Sequence, residues 1–577
     1  MSAGEPAGDD GTSGRFVTHA VTNQSPPFEN IDLYGTNPAL QDAVAREHAA
    51  CGGAADSSPH EDLTRHGVTT GSAEAMAWGA LANRHAPELV RFDDKGHALG
   101  RVDFHPAYHA VMAMSIREGL HCSVWDHLAA EHASPNAGAH VVRAAMLYMT
   151  TQMEAGHVCP LTMTNAAVAT LRQTPQLLAP LLPRLLSRHH DASFRPMAAK
   201  VGITIGMGMT EKQGGTDVRA NSTVARPLTG KGPGALYELV GHKWFMSAPM
   251  CDAFLMLAQA PGGLSCFLVP RHREDGRLNA LNFQRLKDKL GNRSNASSEV
   301  ELEGAEGRLV GEEGRGVPAI LAMVTLTRLD CAVASAGQMR LALALAIHHS
   351  RHRSVFGRRL AEQPMMAQVL ADMSLDVEAA TALAFRLARA FDRAESDPAE
   401  AAWKRLMTPV TKYWVCKMAP ALGYEAMECL GGNGYVETGL AARLYRELPL
   451  NAIWEGSGNV MALDVLRVIA REPDALVAVA DEIGRQSGGD TAIAAALDRV
   501  RWMLKDPDAL EPVARTLVET LALAAAAALL RDGAPVPVAD GFVATRLDGG
   551  FRHTYGAGRG DLAAAVLLAR AWPYEKA

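Results

Sequence analysis

The chain has 577 residues, 48% of them hydrophobic. That is several times the length of a typical domain of ~150 residues, so several domains with sizeable cores are expected. Lysine and arginine number 56 against 63 aspartate and glutamate, a formal net charge of −7, so no global basic charge advertises nucleic acid.

Met1 to Arg15 is polar and Gly-rich and lacks the apolar stretch of a secretory signal. The longest uninterrupted apolar run, Leu521–Leu530, is shorter than the roughly 20 residues a bilayer-crossing helix needs, so no membrane partner is expected. The eight cysteines are scattered without a CxxC pair, which suits buried thiols in a reducing compartment. A soluble cytoplasmic protein without bound metal is the expectation.

In chain order, residues 1–35 are rich in Gly, Ser, Asp and Pro and read as a flexible or draped segment. Residues 36–198 read as helical, with Ser72–Asn83, His105–Glu118 and Ala139–Glu154 as examples. Residues 199–312 change character: short runs such as Tyr237–His242, Phe254–Ala258 and Cys266–Val269 alternate with turn formers, the pattern of a small β-domain. Long helices return over 313–470. A last block, 471–577, is Ala-rich and helical, broken near Gly533–Pro537 and by a Gly-rich stretch at 541–560. This order lacks the alternating β-α-β rhythm of a parallel sheet, so the fold class is α+β, mainly α.

Three runs carry chemistry. Gly206-Met-Gly-Met-Thr-Glu-Lys-Gln-Gly-Gly-Thr-Asp217 has four glycines and two threonines. It is either a backbone-exposing cradle for a polar ring or phosphate, or an ordinary loop opening the β-domain. Glu428-Cys-Leu-Gly-Gly-Asn-Gly-Tyr435 lies between helices with no preceding strand, which argues against a Rossmann fingerprint. Asn451-Ala-Ile-Trp-Glu-Gly-Ser-Gly-Asn459 precedes a helical pattern that Ser457 or Asn459 can cap. Its Glu455, flanked by Ile453, Trp454 and Gly456, is either a structural carboxylate or a desolvated general base. His105 and His109 stand at i, i+4, but Pro106 marks a helix start there. His348, His349 and His352 share a helical stretch with Arg351 and Arg353 and read as a solvated or interface face.

Taken in order, Met209-Thr-Glu-Lys-Gln-Gly-Gly-Thr-Asp217, Gly241-His-Lys-Trp-Phe245, Lys289-Leu-Gly-Asn-Arg293, Arg353-Ser-Val-Phe-Gly357, Leu430-Gly-Gly-Asn-Gly-Tyr435, Arg443-Leu-Tyr-Arg446 and Trp454-Glu-Gly-Ser457 resemble the acyl-CoA dehydrogenase family of flavoproteins. Within it, Cys159-Pro-Leu-Thr-Met-Thr164, Leu290-Gly-Asn-Arg-Ser-Asn-Ala296 and the helical extension beyond 470 resemble the AidB branch, tied to the bacterial response to DNA alkylation. The resemblance implies an N-terminal helical domain, a central β-domain, a C-terminal helical domain and an extra helical domain. It also implies FAD as cofactor, commonly in a homotetramer.

By motif, it assigns the flavin to Met207, Gly208, Met209, Thr210, Glu211, Lys212, Gln213, Gly214, Gly215 and Thr216, to Trp244, Phe245 and Met246, and to Ile453, Trp454, Gly456, Ser457, Gly458 and Asn459. Glu455 is implied as the base that removes the α-proton of an acyl-CoA. Some members carry the base on the helix around Thr325-Leu-Thr-Arg328; that position is Thr327 here. The family's Gln eleven residues after Arg353, which holds flavin across a subunit interface, is replaced by Pro364 beside Gln363, and Glu428 stands where many members have Gln.

The AidB likeness also implies double-stranded DNA as a partner of the last block, although residues 471–577 hold 12 Lys/Arg against 15 Asp/Glu, a net of −3. Arg467, Arg546, Arg552 and Arg559 are its candidate phosphate contacts. The leading expectation is a DNA-associated flavoprotein that shields DNA or consumes a small alkylating compound, with weak dehydrogenation of a short or branched acyl-CoA. The alternatives are a metabolic dehydrogenase whose extension serves assembly, or a flavin-bound scaffold without turnover.

Overall fold

The computed structural model describes residues 17–53, 59–129, 135–548, 554–557 and 561–573. The N-terminal part is built from the helices Pro38–Ala50, His60–Thr70, Ala73–Arg84, Pro106–Arg117, Ala139–Met153, Val158–Leu171 and Pro175–Leu185. It also contains an element that the helical reading missed, an antiparallel hairpin of Glu88–Phe92 and Ala98–Asp103. The Asp93-Asp-Lys-Gly96 turn, with Gly96 at φ +87°, was its signal. His105 is the N-cap of its helix, its ring accepting from Ala107 N at 3.1 Å. Among the described residues no group of three or more His, Cys, Asp or Glu is arranged to hold a metal.

The central strands close on themselves. Leu236–Ser247 pairs with Ile205–Thr210, which runs parallel to Ala253–Ala260. That strand pairs with Gly263–Pro270, then Ser297–Val310, which returns to Leu236–Ser247. Val224–Thr229 and Leu281–Leu286 flank this ring. Strand 253–260 is buried on both faces: the consecutive residues Phe254 and Leu255 point opposite ways and both are fully buried, as are Phe267 and Leu309 on the neighbouring strands.

Helices Gly316–His352, Pro364–Arg393 and Pro398–Cys429 pack on one another and on the N-terminal helices. The helix Gly316–His352 and the segment Pro507–Gly533 are long and apolar enough to span a bilayer, but 67% and 72% of their most apolar windows are buried inside the protein. Their apolar faces are taken up by neighbouring helices. All eight cysteines are free thiols, seven of them buried.

The last block is fastened by buried charge. Arg386 grips Glu482 of helix Pro473–Gln486 with two bonds, 2.7 and 2.8 Å, and Glu400 with a third, 2.7 Å. Arg389 adds Glu47 from the first helix at 3.0 Å. Arg546 corrects an expectation: it is not a phosphate contact but a buried cation bound to Asp372 and Asp376, its side chain 4% exposed. Both acids lie on helix 364–393, and Tyr555 joins them through Asp376 at 3.0 Å.

Breaking a buried ion pair from one side strands the remaining charge, at a cost of about 3–5 kcal/mol. Arg386→Leu therefore lowers the urea midpoint by that equivalent, whereas Arg467→Leu on the surface moves it by less than about 0.5 kcal/mol.

Candidate active site

Two separate stretches of sequence form the two walls of the site. On the first, strand 205–210 lies antiparallel to strand 236–247 with Gly208 opposite Met246 and Thr210 opposite Phe245. The Gly-rich run and the Lys243–Met246 run are thereby side by side. Lys212, Gln213, Gly214, Gly215 and Thr216 are exposed, Met207, Met209 and Thr210 half-buried, and Gly208 buried. A Cβ at Gly214 would meet nothing within 4 Å, so the loop opens outward. One at Gly215 would collide with the Thr210 side chain, which only glycine can approach this closely.

Two predicted cofactor residues turn away from this surface. Glu211 is fully buried, and its carboxylate accepts from Lys243 Nζ (2.8 Å), Thr223 Oγ1 (2.6 Å) and Ser222 N (2.7 Å). Burial would raise its pKa, but the Lys243 ammonium and these donors outweigh it and pull the carboxyl down to about 2. It braces the loop from within. Met246 is also fully buried, and its carbonyl accepts from Ser298 Oγ at 3.1 Å, so it turns away from this surface as a whole. Phe245, by contrast, is 48% exposed beside a half-buried Trp244.

Three cations that the motifs did not single out as a group surround that indole. Lys287 Nζ stands 3.6 Å from the Trp244 ring centre and 4.4 Å from that of Phe245; Lys212 and Arg285 stand at 5.9 Å. The signal was Arg285 and Lys287 at strand spacing in Leu281–Leu286 and just beyond. An open glycine loop, an exposed Phe245 and a cation cluster whose Arg285 and Lys287 share the single Glu299 carboxylate, each at 2.8 Å, fit a flat, phosphate-bearing flavin.

The second wall is the loop before helix Gly458–Arg471. Ser457 is the N-cap but makes no side-chain capping bond, and Asn459 is exposed in the first turn. Glu455 adopts φ +57° and Gly456 φ +103°, a left-handed pair costing roughly 1–3 kcal/mol at the non-glycine position. Two buried cations hold it. Arg328 Nε donates to Glu455 O at 3.0 Å while its Nη1 pairs with Asp464 at 2.8 Å. Lys412 Nζ donates to Asn451 O and Gly456 O, both at 2.9 Å. Asn451 in turn accepts from Trp454 Nε1 at 2.9 Å and donates to Ser335 at 3.0 Å. Lys412, a lone cation within the apolar stretch Met407–Cys416, was legible as a buried charge seeking partners.

One oxygen of the Glu455 carboxylate is left free. Its Oε2 is buried without a hydrogen-bond partner. Burial raises its pKa above the usual carboxylate range, with the Thr327 hydroxyl, Arg328 and Lys412 pulling the other way. Cys159 is a buried thiol pushed up to about 12, chiefly by desolvation, with Lys289 and Asn295 pulling it down and the Glu455 charge adding to the rise.

Of the DNA candidates, Arg467 is on the surface with a 3.5 Å contact to Asp464, Arg546 is internal as described above, and Arg552 and Arg559 lie outside the described residues.

Comparison with known proteins fits this geometry. Residues 23–192 match the adaptive response protein AidB N-terminal domain, 206–305 the acyl-CoA dehydrogenase middle domain and 314–470 its C-terminal domain. The putative acyl-CoA dehydrogenase AidB of Escherichia coli K12 is 45% identical over 540 residues, 93% of this chain and 96% of that protein. The chain belongs to the acyl-CoA dehydrogenase family, in its AidB branch.

Acyl-CoA dehydrogenase family member 11 of Caenorhabditis elegans is 31% identical over 511 residues, 82% of this chain and 80% of that one. The crystal structure of C. elegans ACDH-11 in complex with C11-CoA superposes with a TM-score of 0.81 at 28% identity, covering 97% of this chain and 94% of that one. The Bd2924 apo-form gives 0.79 at 28%, covering 89% and 99%. Like its family, the chain is an FAD-dependent oxidoreductase of the type that acts on the CH–CH group of an acyl-CoA.

Lys412→Met keeps the bulk of the helix but leaves two buried carbonyls without a donor, a loss of about 1–3 kcal/mol each at most. The expected outcome is faster amide hydrogen exchange confined to residues 451–457, measured by mass spectrometry. Unchanged exchange there would show that Lys412 does not hold the loop.

Proposed function

We propose that Glu455 is the base that takes the α-proton of a short or branched acyl-CoA. The observation that carries this reading is its buried, unpartnered Oε2 on a loop clamped from behind. A buried carboxylate with one oxygen lacking any donor is a stronger base than one in water, and that oxygen has a vacant lone pair for a C–H. FAD, when bound, supplies the hydride acceptor for the β-carbon that no side chain can provide. The chain's own part is to hold the Glu455 carboxylate at the α-carbon, exclude water from it and keep the proton once taken. Arg328 and Lys412 spend their bonds on backbone carbonyls, so they fix the loop without pairing directly with the carboxylate.

Glu455→Gln should retain FAD and abolish reduction of the bound flavin by acyl-CoA under anaerobic conditions; bleaching at the wild-type rate would remove Glu455 from the reaction. The base works ionised, and its pKa is raised. Activity is therefore present above that raised pKa and lost as pH falls through it, with an acid limb above the ~4.3 of an ordinary Glu. Thr327→Val removes a group that favours the anion and shifts that limb further up. A limb that stays put or moves down contradicts this assignment.

A second reading concerns the last block. We propose that the chain, as a homotetramer, associates with double-stranded DNA and shields it from, or consumes, an alkylating agent. Membership of the AidB branch favours it, and so does an exposed basic and aromatic face. Arg499, Arg501 and Lys505 are exposed within a turn of Trp502, which is 69% exposed, with Arg501 holding a surface pair to Asp498 at 2.8 Å. These replace the internal Arg546 as phosphate contacts, and a tetramer pools four such faces despite the block's net acidity. Anisotropy titration of labelled duplex at several salt concentrations is expected to give a steep slope. Joint Arg499→Ala, Arg501→Ala and Lys505→Ala replacement should reduce it by roughly 0.9 per lost phosphate contact. No binding at low salt refutes the DNA reading and leaves the block as an assembly element.

A further inference from the structure

His105 and His109 stand one turn apart at the start of helix Pro106–Arg117, and only the first is spent on the fold, as N-cap. His109 instead meets the connection that leads from the N-terminal helices into the central strands, where Ser187-Arg-His-His-Asp191 follows helix Pro175–Leu185. Its Nδ1 lies 3.1 Å from His190 Nε2, with ring centres 5.4 Å apart. Burial lowers the pKa of both rings; at His190 the neighbouring His109 and Lys200 add to the fall, which reaches about 4. The two imidazoles are therefore neutral near pH 7 and joined by one N–H···N bond.

The pair lines a cavity of about 60 Å³ bounded by strand 98–103, helix 106–117, the connection 187–204 and the residues leading into strand 253–260. A water needs about 10–15 Å³ of such space, so the cavity takes a molecule of roughly four to six non-hydrogen atoms. None of its lining residues belongs to the two walls around Glu455. Its charged groups are already engaged. Lys200 Nζ meets Asp252 Oδ1 at 2.7 Å, and Asp252 Oδ2 accepts from Thr204 N at 2.9 Å. Asp191 accepts from Ser193 N at 3.0 Å and Val201 N at 3.1 Å. His121 Nε2 donates to Ser187 O at 3.0 Å. Val102, Phe104, Met112, Ile116, Ile203 and Met250 supply apolar wall. An ion entering here would lose its water without finding a free countercharge.

The outer nitrogen of each paired ring, His109 Nε2 and His190 Nδ1, is bonded to no other described residue. A neutral imidazole pair sharing one N–H···N bond has a fixed outward valence. If His109 donates, its outer nitrogen is a lone pair and His190 keeps an outer N–H; if His190 donates, the roles exchange. Either way the pair presents one donor and one acceptor. We infer that this cavity is a binding site for small uncharged molecules of the primary-amide class, with a compact branched apolar body and a donor and acceptor that meet His109 and His190. Binding there needs neither Glu455 nor the flavin.

The test titrates isobutyramide into the full FAD-loaded chain by saturation-transfer NMR. Its isostere methyl isopropyl ketone, which keeps the carbonyl but carries a methyl in place of the amide nitrogen, is the comparison. A ligand this small is expected to bind with a dissociation constant on the order of a millimolar. The ketone should bind roughly tenfold more weakly, because it leaves one ring nitrogen unmet. His190→Phe keeps a ring in place but breaks the pair, and should erase the preference for the amide. Ile116→Phe fills the space without touching either histidine and should abolish binding of both compounds. Equal affinity for the two compounds in the wild type, or an amide preference that survives His190→Phe, overturns the role of the pair. Absence of isobutyramide binding overturns the site. Binding that survives Ile116→Phe and perturbs the flavin absorbance belongs to the pocket around Glu455, and it too overturns the assignment.

Discussion

Lys412 sits in the middle of a 32-residue helix with its ammonium turned to two peptide carbonyls, Asn451 O and Gly456 O, where a carboxylate would be the ordinary partner of a buried cation. Arg328, on the neighbouring long helix, holds the carbonyl between them, that of Glu455, and takes its own countercharge from Asp464 on the helix that follows. Three helices thus converge on one peptide segment whose backbone would relax away from φ +57° if released. The division of labour matters electrostatically. A cation bonded directly to the Glu455 carboxylate would hold it ionised and weaken it as a base; cations bonded to its backbone fix its place while their charge acts on the carboxylate only from a distance.

The opposite wall solves a related problem with the opposite choice. Glu211 stands in the middle of the glycine loop, where a free carboxylate would repel a phosphate-bearing cofactor. It is turned inward and neutralised by Lys243, with Thr223 and Ser222 filling its remaining lone pairs. What stays on the outside is glycine, threonine hydroxyl, aromatic surface and the cations around Trp244. One carboxylate is kept free and one is consumed, and burial with a chosen partner decides which. An irregularity in the ladder makes this possible: the register shifts between Lys243 and Met246, breaking the alternation of strand 236–247, so that Lys243 turns inward to Glu211 while Phe245, two residues on, is left exposed.

Much of this was legible in the sequence, for identifiable reasons. The glycine run, the Trp244–Phe245 pair and the Trp454–Gly458 turn announce themselves because backbone approach and left-handed φ restrict which residues can stand there. The raised pKa of Glu455 followed from its apolar neighbours alone. The direction of side chains was less legible: Glu211 and Met246 fall inside motifs that face a ligand, yet pairing register sends both inward. Contacts between distant segments were not legible at all. Nothing local tells Arg328 from any other helical arginine, or shows that Asn23 will pair with a peptide more than three hundred residues away. The hairpin at Glu88–Asp103 was missed because helical composition on both sides of it dominates the reading.

Arginine in the last block shows how far local charge can mislead. Read along the chain, Arg546 belongs to a basic stretch suited to phosphate. In space it faces Asp372 and Asp376 on helix 364–393, with Tyr555 closing the cluster. Arg570 meets Glu378 and Asp42 in the same way, and Arg386 meets Glu482 and Glu400. Helix 364–393 brings the acids Asp372, Asp376 and Glu378 to Arg546 and Arg570, and at Arg386 the polarity reverses: the helix brings the cation and the block brings Glu482. The block's described arginines therefore divide into two populations. Arg546 and Arg570 are committed to acids on helix 364–393, and Arg531 to Asp490 and Asp540 within the block. Arg471, Arg485, Arg499, Arg501 and Arg515 are exposed and keep their charge in solvent. A net charge of −3 over 471–577 counts both populations together, and so gives no measure of the surface the block presents outward. Any phosphate contact proposed for the block falls to the second population alone, since a cation already neutralised in the interior releases no counterions from a nucleic acid.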